Sequence, residues 1–134
     1  PQADGSVLVD DAYNSNPIGF AAAVRTVGLL KQKHGGRGIL VTPGMVEMGA
    51  AHDEEHRKAG EAAAETIDVL LAVVPDRIEP LIESFAKAKG DGAEIVRCPT
   101  FADAQAWLSQ NRKSGDVVLL ENDLPDLYER KLTL

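Results

Sequence analysis

Cysteine, aromatic residues and basic charge are all scarce in this sequence. Cys98 is the only cysteine among 134 residues, which excludes an internal disulfide and a zinc site built from several cysteines. Aromatic residues make up 4% of the chain, too few for a platform on which bases would stack. The 14 Lys and Arg residues are outnumbered by 21 Asp and Glu residues. The resulting net charge of -7 argues against nucleic acid or an anionic membrane as a partner.

Long apolar runs and linkers are also missing. No stretch approaches the roughly 18 apolar residues that a membrane span requires, and no signal peptide is evident. Hydrophobic residues make up 44% and charged residues 26%, values typical of one folded domain. Because the chain begins without Met, we expect residues 1–134 to be one domain of a longer, cytoplasmic protein in which Cys98 is an inert thiol.

Three motifs that carry chemistry are absent from the sequence. No G-x-x-x-x-G-K-[ST] segment is present to cradle a triphosphate, and no G-x-G-x-x-G segment follows a strand to bind a dinucleotide. A G-x-S-x-G nucleophile elbow is missing as well. We therefore expect no catalytic residue within this domain, which would bind ligands and complete a site formed elsewhere.

Strand and helix patterns alternate along the chain. Short apolar runs predict five strands, at residues 7–9, 38–41, 68–74, 94–96 and 116–120. Helical spacing of apolar residues predicts four helices, at residues 18–33, 52–66, 75–89 and 100–111. Alternation of this kind implies right-handed crossovers between parallel strands. The predicted fold is an α/β, Rossmann-like three-layer sandwich with a mostly parallel sheet and a single domain.

Ligands in such folds collect at the carboxyl ends of the strands. Five segments fall there, at residues 10–16, 42–49, the turn at Pro75, 98–100 and 121–126. We therefore expect functional side chains in these segments.

The segment of residues 10–17 reads Asp-Asp-Ala-Tyr-Asn-Ser-Asn-Pro and concentrates polar side chains between a strand and a helix. A carboxylate at a strand end can accept hydrogen bonds from ribose hydroxyls, and an Asn amide can both donate and accept. The alternative is that Asn14 and Asn16 serve only as turn and cap residues.

The segment of residues 42–49 carries two glycines, which permit positive φ and a close approach of a ligand or another domain. The alternative is an ordinary loop in which Met45 and Met48 fill gaps in the core.

Two histidines lie near the start of the second predicted helix. His52 and His56 fit an H-x-x-E-H zinc pattern on one helical face. A catalytic zinc site needs a third ligand, and the sequence singles out none. We favour an acidic first helical turn that complements the helix dipole, and expect no metal site.

Residues 121–126 place three acidic residues and an amide just after the last strand. They could receive an ammonium group, a metal ion or a lysine of another domain; the alternative is a polar loop.

The segment Val9-Asp10-Asp11-Ala12-Tyr13-Asn14-Ser15-Asn16-Pro17, followed by Met45-x-Glu47-x-Gly49 and by His56 with Gly60, resembles the C-terminal domain of the Mur ligases. The likeness extends over nearly the whole chain, in the same order. It is greatest to the members that add D-alanyl-D-alanine to a UDP-N-acetylmuramoyl-tripeptide in peptidoglycan synthesis.

The resemblance implies a three-domain enzyme. Its N-terminal domain binds the UDP-muramoyl peptide, its central domain carries the P-loop and binds most of the ATP and Mg²⁺, and its last domain closes over both. The reaction activates a carboxylate as an acyl phosphate, which the incoming amine attacks. On this basis the isolated domain is inactive, and its roles are positioning and closure.

The resemblance also assigns residues. Asp11 is expected to contact the ATP ribose, and Tyr13, Asn14 and Asn16 to line the nucleotide side of the cleft. The expected substrate and closure residues are Glu47, His56, Asn122 and Asp123.

Two departures from the family pattern bear on the amine acceptor. Many members have Gly-Asp where this chain has Pro43-Gly44, and many have Lys-Gly-Ser-Arg where it has Glu121-Asn122-Asp123-Leu124. Exchanging a basic loop for an acidic one should change the preferred acceptor. A Mur-like paralogue with another amine acceptor therefore stays open as an alternative. Composition alone also allows a non-catalytic α/β binding module.

Overall fold

The computed structural model describes residues 5–11, 17–44 and 52–121. Its five strands are β1 (Val7–Asp11), β2 (Gly38–Thr42), β3 (Val69–Val73), β4 (Glu94–Cys98) and β5 (Val117–Glu121). Its four helices are α1 (Pro17–His34), α2 (His52–Ala63), α3 (Glu79–Lys89) and α4 (Phe101–Asn111). None of the described helices is both long and apolar enough to cross a membrane.

The described strands form one sheet in the order β1-β5-β2-β3-β4, and every neighbouring pair is parallel. The predicted α/β three-layer fold is confirmed. One apolar cluster joins the strands to α1, α2 and α3, with members that include Phe20, Ala59 and Leu81. A second cluster joins the opposite face of the sheet to α4 through Phe101, Ala104 and Leu108. The sheet is therefore covered by three helices on one face and by α4 on the other.

The central strands are apolar on both sides. Every residue of β2 and of β3 is buried, as expected for strands that are covered by helices on both faces. Leu40 and Leu70 face the cluster shared with α1–α3, whereas Val41 and Leu71 face the α4 cluster. Because successive side chains of a strand point to opposite faces of the sheet, the same strands contribute residues to both apolar clusters.

Two predicted helix boundaries are wrong. The second helix ends at Ala63 rather than at residue 66, because residues 64–66 form a turn that leads into β3. The predicted helix 75–89 is interrupted: Pro75–Arg77 form a 3₁₀ turn, Ile78 has a non-helical φ of -128°, and α3 begins at Glu79.

Helices α2 and α3 pack closely at Gly60. A Cβ atom at this position would collide with Ser84 Oγ and with the Leu81 carbonyl oxygen, and would lie 2.9 Å from the Phe85 nitrogen. Ser84 is buried, and its hydroxyl donates to the Arg57 carbonyl oxygen at 2.7 Å. The absence of a side chain at Gly60 lets the two helices approach within hydrogen-bonding reach.

Charged side chains tie the amino ends of the strands to their neighbours. Asp68, just before β3, accepts a hydrogen bond from the Gly38 N–H at 2.8 Å and pairs with Lys31 at 2.8 Å and with Lys89 at 3.5 Å. Burial opposes ionisation of Asp68, but the hydrogen bonds from Lys31 and Gly38 prevail and lower its pKa. This cluster connects α1 and α3 to the sheet.

A second charged pair lies at the same edge. Asp116 is 2% exposed and accepts from Arg37 Nη2 at 2.7 Å, from Arg37 Nε at 3.2 Å and from the backbone N–H groups of Arg37 and Lys113. Despite burial, these donors lower the pKa of Asp116. The Arg37 guanidinium also lies 5.9 Å from the centroid of the Trp107 ring. These contacts join the start of β5 to the start of β2.

Candidate functional site at the carboxyl edge of the sheet

Because the described strands are all parallel, their carboxyl ends meet at one edge, which we call the carboxyl edge. In the strand register, Asp11 of β1 is opposite Glu121 of β5, and Leu120 of β5 is opposite Val41 of β2. The carboxyl ends of β1, β5 and β2 therefore lie side by side. This is the place where folds of this kind bind ligands.

The end of β2 requires a glycine. Gly44 has a φ of +86°, and its N–H donates to Thr42 Oγ1 at 2.9 Å. A Cβ atom at Gly44 would collide with Ile78 Cγ2 and would lie 2.6 Å from His56 Nε2. The positive φ that the sequence allows in this loop is thus present, and the space beside Gly44 is filled by two side chains.

The two histidines near the start of α2 pack against each other, and His52 also contacts the turn before α3. Their ring centroids are 4.0 Å apart. The His56 Nδ1–H donates to the His52 carbonyl oxygen at 2.7 Å, and the His52 Nε2–H donates to the Arg77 carbonyl oxygen at 2.8 Å. A carbonyl oxygen only accepts, so each of these nitrogens carries a proton and is not a metal ligand. Within residues 5–11, 17–44 and 52–121, no group of three His, Cys, Asp or Glu side chains could hold a metal ion.

The turn between β3 and α3 contains a strained residue. Val74 has a φ of 51°, the one positive value at a non-glycine position in the described chain, and its side chain is 41% exposed. Its N–H donates to the Cys98 carbonyl oxygen at 2.9 Å. Arg77 Nη1 lies 3.5 Å from the Pro43 carbonyl oxygen, so a weak hydrogen bond also connects this turn to β2. Strain of this kind is concentrated in ligand-binding loops.

The cysteine at the end of β4 is not a nucleophile. Cys98 is 1% exposed, and burial raises the pKa of its thiol to about 11. The next segment starts α4 with a capping box: Thr100 Oγ1 accepts from the Asp103 N–H at 3.2 Å, and Asp103 Oδ2 accepts from the Thr100 N–H at 3.1 Å. This end of the carboxyl edge therefore supplies structure rather than reactive groups.

The predicted site residues fall mostly on segments that the structure does not describe. Asp11 is the last residue of β1, at the carboxyl edge, and its role remains a prediction. His56 is in the described part, and it is completely buried. The other predicted residues lie outside the described ranges: Tyr13, Asn14, Asn16, Glu47, Asn122 and Asp123.

Sequence reasoning missed the contact between the end of β2 and the turn before α3. Arg77 and Ile78 reach Pro43 and Gly44 across more than 30 positions of sequence, and no local pattern signals such a contact. Pro75 marked the turn itself, but not what the turn touches.

The fold defines a class: a Rossmann-like α/β domain whose parallel strands all end at one edge. The sequence matches the family described as "Mur ligase, glutamate ligase domain" over residues 1–121, and the chain therefore belongs to that family.

A solved structure has the same fold. The crystal structure of MurF ligase from Thermotoga maritima in complex with ADP superposes with a TM-score of 0.70 at 20% sequence identity. The match covers 98% of this chain and 28% of that one, so the chain spans less than a third of the MurF chain. A comparison with curated protein sequences gave no match.

Proposed function

We propose that the chain is the C-terminal domain of an ATP-dependent ligase that forms an amide bond in a peptidoglycan precursor. The observation that carries the proposal is the family match over residues 1–121 of a chain whose parallel strands end together at the carboxyl edge. The MurF ligase of similar fold was crystallised with ADP, which supports a nucleotide as the ligand. The proposed reaction adds D-alanyl-D-alanine to a UDP-N-acetylmuramoyl-tripeptide through an acyl phosphate, in the cytoplasm.

The proposal divides the work between domains. The sequence has no Walker segment, so a central domain of the longer protein is proposed to bind the ATP phosphates and Mg²⁺. The C-terminal domain, which is the present chain, contributes Asp11 as a contact to the ATP ribose. Tyr13, Asn14 and Asn16 line the cleft beside it. Holding two reactants in place and excluding water lowers the barrier without a nucleophile from this domain.

A change at Asp11 tests the nucleotide role. In the full-length protein, Asp11→Ala should raise the apparent KM for ATP while the rate at saturating ATP is largely kept, because a ribose contact contributes binding rather than chemistry. Asp91→Ala, at an exposed aspartate before β4, is the control and should leave the KM for ATP unchanged. An unchanged ATP dependence in Asp11→Ala contradicts the assignment.

The length of the native polypeptide tests the domain assignment. Intact mass spectrometry of the protein from its source cells should find a chain larger by roughly two domains of about 100–200 residues each. A native chain of only 134 residues would contradict a self-contained ligase and favour a binding module.

The acidic segment at residues 121–126 favours one second candidate, a Mur-like paralogue with another amine acceptor. An acidic loop would attract a cationic amine more strongly than a dipeptide zwitterion. A panel of amines, assayed with the full-length protein for ATP-dependent ligation, separates the two candidates. Strict use of D-alanyl-D-alanine would exclude the paralogue.

A further inference from the structure

His56 is enclosed by three elements that end or begin at the carboxyl edge. It lies on α2 and is 0% exposed. Its Nε2 side faces Gly44 at the end of β2, close enough that a Cβ atom there would lie 2.6 Å away. The neighbouring His52 donates to Arg77 in the turn before α3, and Ile78 of that turn fills the other side of Gly44.

The hydrogen bonds assign the protonation of the ring. The His52 carbonyl oxygen can only accept, so the proton of neutral His56 is on Nδ1. Nε2, the nitrogen nearest Gly44, is then the basic one. A second proton would go onto Nε2 and change the contact with the turn that contains Gly44.

We propose that His56 is a positioning residue. Its neutral imidazole, oriented by the hydrogen bond to the His52 carbonyl, holds the turn at residues 42–44 in place at the carboxyl end of β2. The inference rests on the proposed function, because ligation is the activity in which the position of this turn has a measurable consequence. The family resemblance groups His56 with substrate and closure residues. Because His56 is completely buried, we infer that it acts indirectly, through its contact with Gly44.

The surroundings of His56 favour the neutral form. Burial lowers the pKa of His56 more than its hydrogen bond to the His52 carbonyl raises it. The charges of His52 and Arg77 lower the pKa further, and that of Asp53 raises it. Gly44, which follows β2, lies next to the ring and carries no charge. Burial thus outweighs the groups that raise the pKa of His56, and the neutral ring is favoured.

Nitrogen NMR of the imidazole tests the assignment without any assay of activity. In ¹⁵N-labelled protein of these 134 residues, His56 should show a protonated Nδ1, an unprotonated Nε2 and a pKa below the ordinary value of 6.5. The opposite tautomer, or titration at the ordinary value, would overturn the inference.

Kinetics of the full-length protein test the positioning role. His56→Phe keeps a ring of similar size but loses both nitrogens, and we expect kcat to fall about tenfold or more, since small displacements at a site cost up to about 10²-fold. The KM for ATP should stay the same. The decrease of wild-type kcat on acidification that follows protonation of His56 should be absent from His56→Phe.

The matched control is Ser84→Ala. It removes a hydrogen bond to the carbonyl of Arg57, the residue next to His56, but on the side of α2 that faces α3. This variant should keep the wild-type kcat and pH profile. An unchanged kcat and pH profile in folded His56→Phe would contradict the positioning role. Wild-type protein that ligates no amine would contradict the proposed function instead, and the NMR measurement would still decide the state of His56.

Discussion

The amino edge of the sheet is held by charges, whereas the carboxyl edge is held by close packing around a neutral ring. At the amino edge, Asp68 and Asp116 each accept several hydrogen bonds from cations and backbone N–H groups. At the carboxyl edge, the described end of β2 is fixed by Gly44, His56 and Ile78, which form no ion pair with one another. The two edges of one sheet thus use different kinds of contact.

This difference is explained by where ligands bind in folds of this kind. Ligands bind at the carboxyl ends of parallel strands, so side chains at the amino ends can be committed to each other. A buried carboxylate that accepts four hydrogen bonds stabilises the fold but leaves nothing to bind a ligand. A neutral ring against a glycine fixes a turn without placing a fixed charge at the edge that is proposed to bind the ligand.

The largest expected effect is at the amino edge. Asp116→Ala removes the acceptor for Arg37 and for two backbone N–H groups, and should cost about 3 kcal/mol of unfolding free energy, because buried donors lose their partner. Urea denaturation measures it, with Asp91→Ala at an exposed position as the control. A loss no greater than that of the control would show that the amino edge does not depend on charge.

A smaller effect is expected at the carboxyl edge. Gly44→Ala should cost about 2 kcal/mol, because the side chain adds a collision with Ile78 and His56 to the strain of a positive φ. Gly35→Ala is the matched control, since Gly35 has a φ of +80° with nothing within 4 Å of its Cβ position. Equal losses of stability in urea for the two variants would indicate that packing at Gly44 contributes nothing.

Acid should weaken the two edges in succession. The unfolded chain binds a proton at His56 more readily than the folded one, so stability should fall as the pH drops below about 6.5. The pKa values of Asp68 and Asp116 are lowered by folding, so their contribution should be lost only below about pH 3.8.

Urea midpoints across a pH series measure both steps. His56→Phe should remove the first decrease and keep the second, whereas Asp116→Asn should reduce the second and keep the first. A single decrease that neither substitution alters would contradict the separate behaviour of the two edges.

The smallest effect is expected at an exposed ion pair. Arg97 of β4 and Glu79, the first residue of α3, form an ion pair at 2.5 Å. The hydrogen bond from Arg97 lowers the pKa of Glu79. Solvent screens this pair, so Glu79→Gln should leave the urea midpoint unchanged within error at low and at high salt. A loss comparable to that of Asp116→Ala would mean that charges hold the carboxyl edge too.

Much of the fold could be predicted from the sequence because its signals are local. The apolar run at residues 68–74 predicted a strand, and β3 spans Val69–Val73 and is buried at every position. The spacing of apolar residues predicted a helix at residues 18–33, and α1 spans Pro17–His34. The boundary at Pro75 was wrong because a proline at the first turn is compatible with both an α-helix and a 3₁₀ turn, and the positive φ of Val74 has no sequence signal.

The sequence by itself determined the α/β class, because periodicity and turn residues act over a few neighbouring positions, and it predicted that the functional segments follow the strands. Only the tertiary structure decided that His56 is buried against Gly44 and Ile78, and that Asp116 pairs with Arg37, 79 positions away. Contacts of this kind depend on which strands become neighbours. The order β1-β5-β2-β3-β4 arises when apolar faces are buried together, and no local pattern encodes it.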